Sequence, residues 1–129
     1  MKKVLSVVLA AGFMIACKSS KSPGEQGVLT GKLVISELCN HYVVGLESGS
    51  LDTAKIAASW ADEKRNATFS NVFSVASKCS FAQAGLKEGD VFTFEVSPQP
   101  TEENCMQCMA YYPIPERSLY IRNIKKINK

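Results

Sequence analysis

Val91-Phe92-Thr93-Phe94-Glu95-Val96 is the stretch that decides the fold class of this chain. Apolar and polar residues alternate, so Phe92, Phe94 and Val96 share one face, the period-two pattern of a half-buried strand. Gly89 and Asp90 supply turn chemistry just before it. Working outward, 71–76 also alternates, with Phe73 and Val75 opposite Val72 and Ser74. Residues 28–38 read as a long first strand, with Gly31 a bulge where the strand curves. Residues 42–46 are its continuation or partner. The last segment, 119–127, starts with Leu119 and Ile121 on one face and then shifts phase to Ile124 and Ile127, which a bulge near Asn123 explains. The Ala-rich 51–61 is ambiguous. Asp52 or Thr53 suits a helix N-cap, yet Ile56, Ala58 and Trp60 alternate at period two. The reading taken is a short helix or turn over 52–57, then a strand from Ala58. Trp60 is a core anchor, with ligand stacking as its alternative role.

Five to six short strands with at most one short helix predict a mainly all-β domain, a small antiparallel barrel or sandwich. The long bent first strand, the Gly85-Leu86-Lys87-Glu88-Gly89-Asp90 turn and the basic final strand resemble an OB-fold barrel. That resemblance implies an oligonucleotide- or oligosaccharide-binding architecture, although fold alone does not imply function.

The chain opens Met1-Lys2-Lys3, followed by an apolar run over 4–16 and then Cys17. A positive start, a short apolar stretch and a small-residue exit at Ala16 form the pattern of a secretory signal. The run is too short to cross a hydrocarbon core, which needs about 20 residues. With Cys17 directly after the exit, the segment resembles a bacterial lipoprotein signal. Met14-Ile15-Ala16-Cys17 departs from the preferred box by carrying Met14 where Leu is usual. The resemblance implies a signal peptide over 1–16 and acylation of Cys17. It also implies a membrane anchor through those acyl chains and an address in the cell envelope. Lys18, where Asp would suggest inner-membrane retention, favours the outer membrane. Residues 18–27 are polar and rich in turn formers, so 17–27 reads as lipidated Cys plus flexible tether. A single β domain then fills 28–129, long enough for one small core.

Removing Cys17 from the five cysteines leaves an even four: Cys39, Cys79, Cys105 and Cys108. In an oxidising compartment they predict two disulfides, with three possible connectivities. In two of these, Cys105-Met106-Gln107-Cys108 is tied to both distant sites. One long-range bond stapling that loop to the barrel is the favoured reading. The rival is a thiol or soft-metal site. Cys105 and Cys108 have redox and half-zinc spacing, and with Met106, Met109 and His41 they form a donor set suited to Cu(I). The expected role of His41 otherwise is that of a solvated or hydrogen-bonded turn residue.

Charge excludes little. Loss of Lys2 and Lys3 from the 15 basic residues leaves 13 against 12 acidic ones, a balance that does not suggest nucleic acid. The basic residues of the last segment, Arg117, Arg122, Lys125, Lys126 and Lys129, read as a solvated strand face. His41 is the sole histidine, and no nucleophile elbow, phosphate loop or dinucleotide fingerprint accompanies it. No enzyme activity and no cofactor are therefore expected. The expected role is that of an envelope module binding a protein or glycan, with Tyr111, Tyr112, Pro113, Ile114 and Pro115 as candidate contacts. Inhibition of a glycosidase or protease is a weaker reading.

Overall fold

The computed structural model describes residues 27–106, 108 and 110–128. The segment read as a signal, Cys17, the residues before Gly27 read as a tether, and Met109 lie outside the described residues. The elements are β1 (Leu29–Glu37), β2 (His41–Ser48), β3 (Ala57–Asp62) and β4 (Ala67–Val75), then α1 (Lys78–Gln83), β5 (Val91–Val96), β6 (Ser118–Leu119) and β7 (Ile121–Lys126). The domain is mainly antiparallel β, as the alternating segments predict. Among the described residues it has seven strands rather than five or six. The seventh strand comes from a break at Tyr120 that divides the final segment into two.

The ladder runs β3-β4-β2-β1-β5-β7, with β6 pairing β4 off this path. Ser118 and Leu119 lie parallel to Ser74 and Val75, while 121–126 lie antiparallel to β5. One stretch of chain therefore touches both flanks of the sheet. The contact is only two residue pairs long, so the sheet curls on itself without closing along its length. Ser77 reinforces the junction. Its buried hydroxyl donates to the Ile121 carbonyl (3.1 Å) and accepts from the Ile121 N–H (2.9 Å). Ser77 thus satisfies both backbone groups of Ile121 where β4 gives way to α1.

Phe92 and Phe94 are completely buried on the inner face of the curl. They pack beside Phe73 and Phe81, with Phe92 and Phe94 ring centres 5.7 Å apart. The alternation of 71–76 shows only half of its burial, because Val72, Phe73, Ser74 and Val75 are all buried. Phe73 and Val75 join the main core. Val72 faces the other way, into a second cluster with Ile35 and Val43, covered by Trp60 and Phe69.

Both predicted irregularities are present. Register shifts between Thr30 and Gly31, and Asn123 adopts a left-handed φ of 54° where β7 slips against β5. Of the short helix or turn expected over 52–57, the structure forms the turn, and its helix lies elsewhere. The turn spans residues 53–56, with Asp52 Oδ1 accepting the Ala54 N–H, and β3 starts one residue earlier than read, at Ala57. The helix is α1, which carries Phe81 into the core against Tyr42 and Phe92. Six residues are too few to show a helical period.

Gly31 is required by packing. A Cβ there would sit 2.7 Å from Val44 Cγ1 and 3.0 Å from Phe94 Cε1, both buried side chains with little room to move. Gly31→Ala is expected to destabilise the domain by about 1–3 kcal/mol, as overpacking does. Thermal or denaturant unfolding measures this directly, and an unchanged midpoint would show that the core yields at this point.

Candidate functional site

The chemistry-bearing residues gather where the β1–β2 turn, α1 and the 97–117 connection meet. Cys39 and Asn40 hold the turn with φ of 66° and 54°, left-handed values that cost a side chain such as cysteine's. Cys39 bonds to Cys108 across 69 residues, with Cα atoms 5.3 Å apart. Cys79, on α1, bonds to Cys105 across 26 residues, with Cα atoms 5.5 Å apart. The 105–108 stretch is thus stapled to both distant sites, one of the connectivities that spacing allows. Polar contacts supplement the staples. The Glu103 carboxylate accepts the Cys79 N–H at 2.5 Å and the Thr101 hydroxyl at 2.8 Å. Tyr42 donates its hydroxyl to Asn40 Oδ1 at 3.3 Å.

His41 follows the turn and is buried, at 7% exposure, rather than solvated. Its ring stacks on Tyr112 with centroids 5.1 Å apart and planes 19° from parallel. Lys64 Nζ lies 4.6 Å from the centre of the Tyr112 ring, a cation–π contact. Lys64 also reaches Glu37 Oε1 at 3.2 Å. Burial pushes the His41 pKa below its ordinary value, and the nearby Lys78 charge adds to that shift. Glu37, hydrogen-bonded by Lys64, is held below the usual carboxylate range.

The 62–65 turn is more than an exposed loop. Asp62 is buried at 2% exposure, and its Oδ1 accepts the Lys64 N–H. Arg65 reaches Glu37 at 2.9 Å, Glu88 at 3.0 Å and Asp62 at 3.5 Å. It therefore ties the β3–β4 turn to the end of β1 and to the 85–90 turn.

The two candidate tyrosines separate. Tyr112 is half-buried against His41, whereas Tyr111 is 89% exposed. With Ile114, Lys78 and the Cys39–Cys108 bridge they line a recess of about 210 Å³. Leu38 and Met106, each next to a bridged cysteine, are also exposed. Trp60 does not join this group; it stacks on Phe69, 5.9 Å away, on the β3–β4 hairpin. Sulfur and carboxylate atoms of Cys79, Glu103 and Cys105 lie within 4.8 Å of one another. A disulfide offers no thiolate, so a soft metal at Cys105 or Cys108 would require reduction first.

Sequence reasoning missed one feature, an open cleft of about 550 Å³ lined by Leu46, Leu51, Ile56, Asn71 and Arg117 among others. Its walls come from separated segments, so no local pattern announces it. Asn71, at φ 52°, bends β4 at its rim. No family model, curated protein or solved structure matches this chain.

Two outcomes follow from this geometry. Closing a 69-residue loop is worth about 4 kcal/mol of denatured-state entropy. The paired change Cys39→Ser with Cys108→Ser is expected to lower the melting temperature by about 10 °C or more. A smaller loss would mean that hydrogen bonds and packing alone hold the loop. His41 should give the domain a pH dependence. Its folded pKa lies below its unfolded value of about 6.5, so the unfolded chain binds the proton more readily. The stability this confers is full above pH 6.5 and falls as pH drops below it. His41→Phe, which keeps a ring against Tyr112, should flatten the slope below about pH 6.5, measured as denaturant midpoints; an unaltered slope would place its origin elsewhere.

Proposed function

We propose that this chain is a lipid-anchored cell-envelope module, held through acyl chains on Cys17 at the outer membrane, that binds an envelope protein or glycan without chemical turnover. The observation that carries the reading is the placement of apolar surface. Leu38, Met106, Tyr111 and Ile114 are exposed, and all four lie on the segments that the two disulfides fix. Exposed apolar side chains on a cross-linked scaffold form a preorganised contact surface, since the loop entropy is already lost before a partner arrives. Tyr111 supplies a broad ring with a polar tip, a residue type favoured at binding hot spots.

The direction of β1 adds to this reading. The tether joins the domain at Gly27, before Leu29, whereas the stapled end begins after Glu37. A nine-residue strand separates them by about 30 Å. A domain tethered at residue 27 would present Tyr111 away from its own anchor. The partner would then lie across the envelope space, not in the anchoring leaflet.

Two measurements test the two halves. Cys17→Ser should move the protein from the membrane fraction to the soluble fraction; retention in the membrane would overturn the anchor. A photoreactive residue at position 111 should give a discrete adduct in intact cells, and Ile114→Ser should reduce its yield about tenfold, a typical hot-spot loss. An adduct formed equally from position 28, at the opposite end, would overturn the assignment of the surface.

A further inference from the structure

His41 is buried, yet among the described residues neither of its ring nitrogens has a hydrogen-bond partner. Buried polar groups are nearly always paired, so an exception calls for an explanation. A neutral imidazole offers one N–H donor and one acceptor nitrogen. The ring lines the recess of about 210 Å³ at the stapled end, and so does Lys78, at the start of α1. Lys78 is half-buried and has no ion pair among the described residues. No acidic side chain lines the recess among those residues. The carboxylates of Glu37, Asp62 and Glu103 are engaged elsewhere: Glu37 by Lys64 and Arg65, Asp62 by Arg65, Glu103 by the Cys79 N–H. The recess thus gathers donors and a positive charge with no counter-charge of its own.

We propose that this recess takes the carboxylate of an acidic side chain inserted by a partner protein, held by the Lys78 ammonium and the His41 N–H. The inference rests on the reading of the stapled end as a contact surface, and it names what the partner must carry. Hydrogen bonds to a carboxylate are charge-assisted, so one group would satisfy His41 and neutralise Lys78 together. Size favours a protein over a glycan. Small-molecule pockets usually run to about 300–1,000 Å³, and this recess is smaller, with room for one side chain. The rim agrees. Tyr111 and Ile114 line the recess and are exposed, as is Leu38 beside Cys39. Apolar neighbours of the inserted acid would rest on them and keep water from the ion pair, the arrangement of a binding hot spot. A sugar chain would instead press hydroxyls against apolar groups that cannot pair with them.

Two experiments test this. In the first, purified mature protein is titrated with a capped Leu-Glu-Leu peptide, and the NMR signals of Tyr111 and Ile114 are followed. They should move, and the Leu-Gln-Leu counterpart should bind about tenfold more weakly, the loss expected when a charge-assisted hydrogen bond becomes a neutral one. Lys78→Gln should abolish the difference between the two peptides, whereas Lys78→Arg, which keeps the charge, should preserve it. Equal binding of both peptides by the unaltered protein, or no movement with either, would overturn the carboxylate site. Glucuronate binding as tightly as the Glu peptide would overturn the choice of a protein side chain. In the second, Lys78→Gln is added to the protein carrying a photoreactive residue at position 111 and should cut the adduct in intact cells about tenfold. An undiminished adduct would overturn this inference and leave the contact surface standing. Absence of any adduct from position 111 with Lys78 intact would overturn the surface itself.

Discussion

Everything in this domain depends on residues 118–126 being shared between two neighbours. A curled sheet buries its inner face only if its flanks are brought together, and the same short stretch does that by pairing with β4 and then with β5. The handover is abrupt. β4 ends at Val75, the Ala76 N–H still donates to the Leu119 carbonyl, and the Ser77 side chain then meets both backbone groups of Ile121. Ser74 and Ser118 add a hydroxyl contact one step earlier. The join is polar and buried, so it must be fully satisfied to hold. Inside it lies the dense aromatic group of Phe73, Phe81, Phe92 and Phe94.

Much of this architecture could be read from residues, and the parts that could not share one physical cause. Phe92 and Phe94 announce themselves because β5 has one wet and one dry side. Gly31 and Asn123 were legible because a phase shift or a glycine inside an alternating run marks a bulge. By contrast, β4 is buried on both faces near its end, so alternation there carries only half the information. The short helix α1 was invisible because six residues complete less than two turns. The seventh strand was hidden for a related reason. Tyr120 interrupts what reads as one segment, and only the tertiary pairing of β6 with β4 distinguishes its two pieces.

The candidate site divides along the same line. That four cysteines form two bridges was expected from their even number and from the compartment that the N-terminal pattern implies. Which pairs they form depends on where α1 and the β1–β2 turn stand relative to the 97–117 connection, which no spacing encodes. The tyrosines show the limit most sharply. Tyr111 and Tyr112 are neighbours of the same type, yet one is open to solvent and the other covers His41. The difference arises because Cys108 pins the chain three residues before Tyr111, and Tyr112 is then gripped between His41 and Lys64.

That grip connects the stapled end to the charges of the rest of the domain. Lys64 lies over Tyr112 while pairing with Glu37, and Glu37 is shared with Arg65, which also holds Asp62 and Glu88. His41 completes the stack as a neutral, buried ring. A proton on His41 is disfavoured first by burial and then by the Lys78 charge, with Arg65 adding to it, while Glu37 and Asp62 act in its favour. The neutral ring is therefore the form compatible with the stack, and the covalent and electrostatic supports of Tyr112 act in concert. The disulfide sets where the loop lies, and the Glu37–Lys64 pair sets how the ring is held. Tyr111, one residue along, inherits a fixed position without spending any of its own surface on packing. An exposed aromatic side chain on so constrained a backbone loses little entropy when it meets a partner, which is the physical case for treating this end of the domain as its working face.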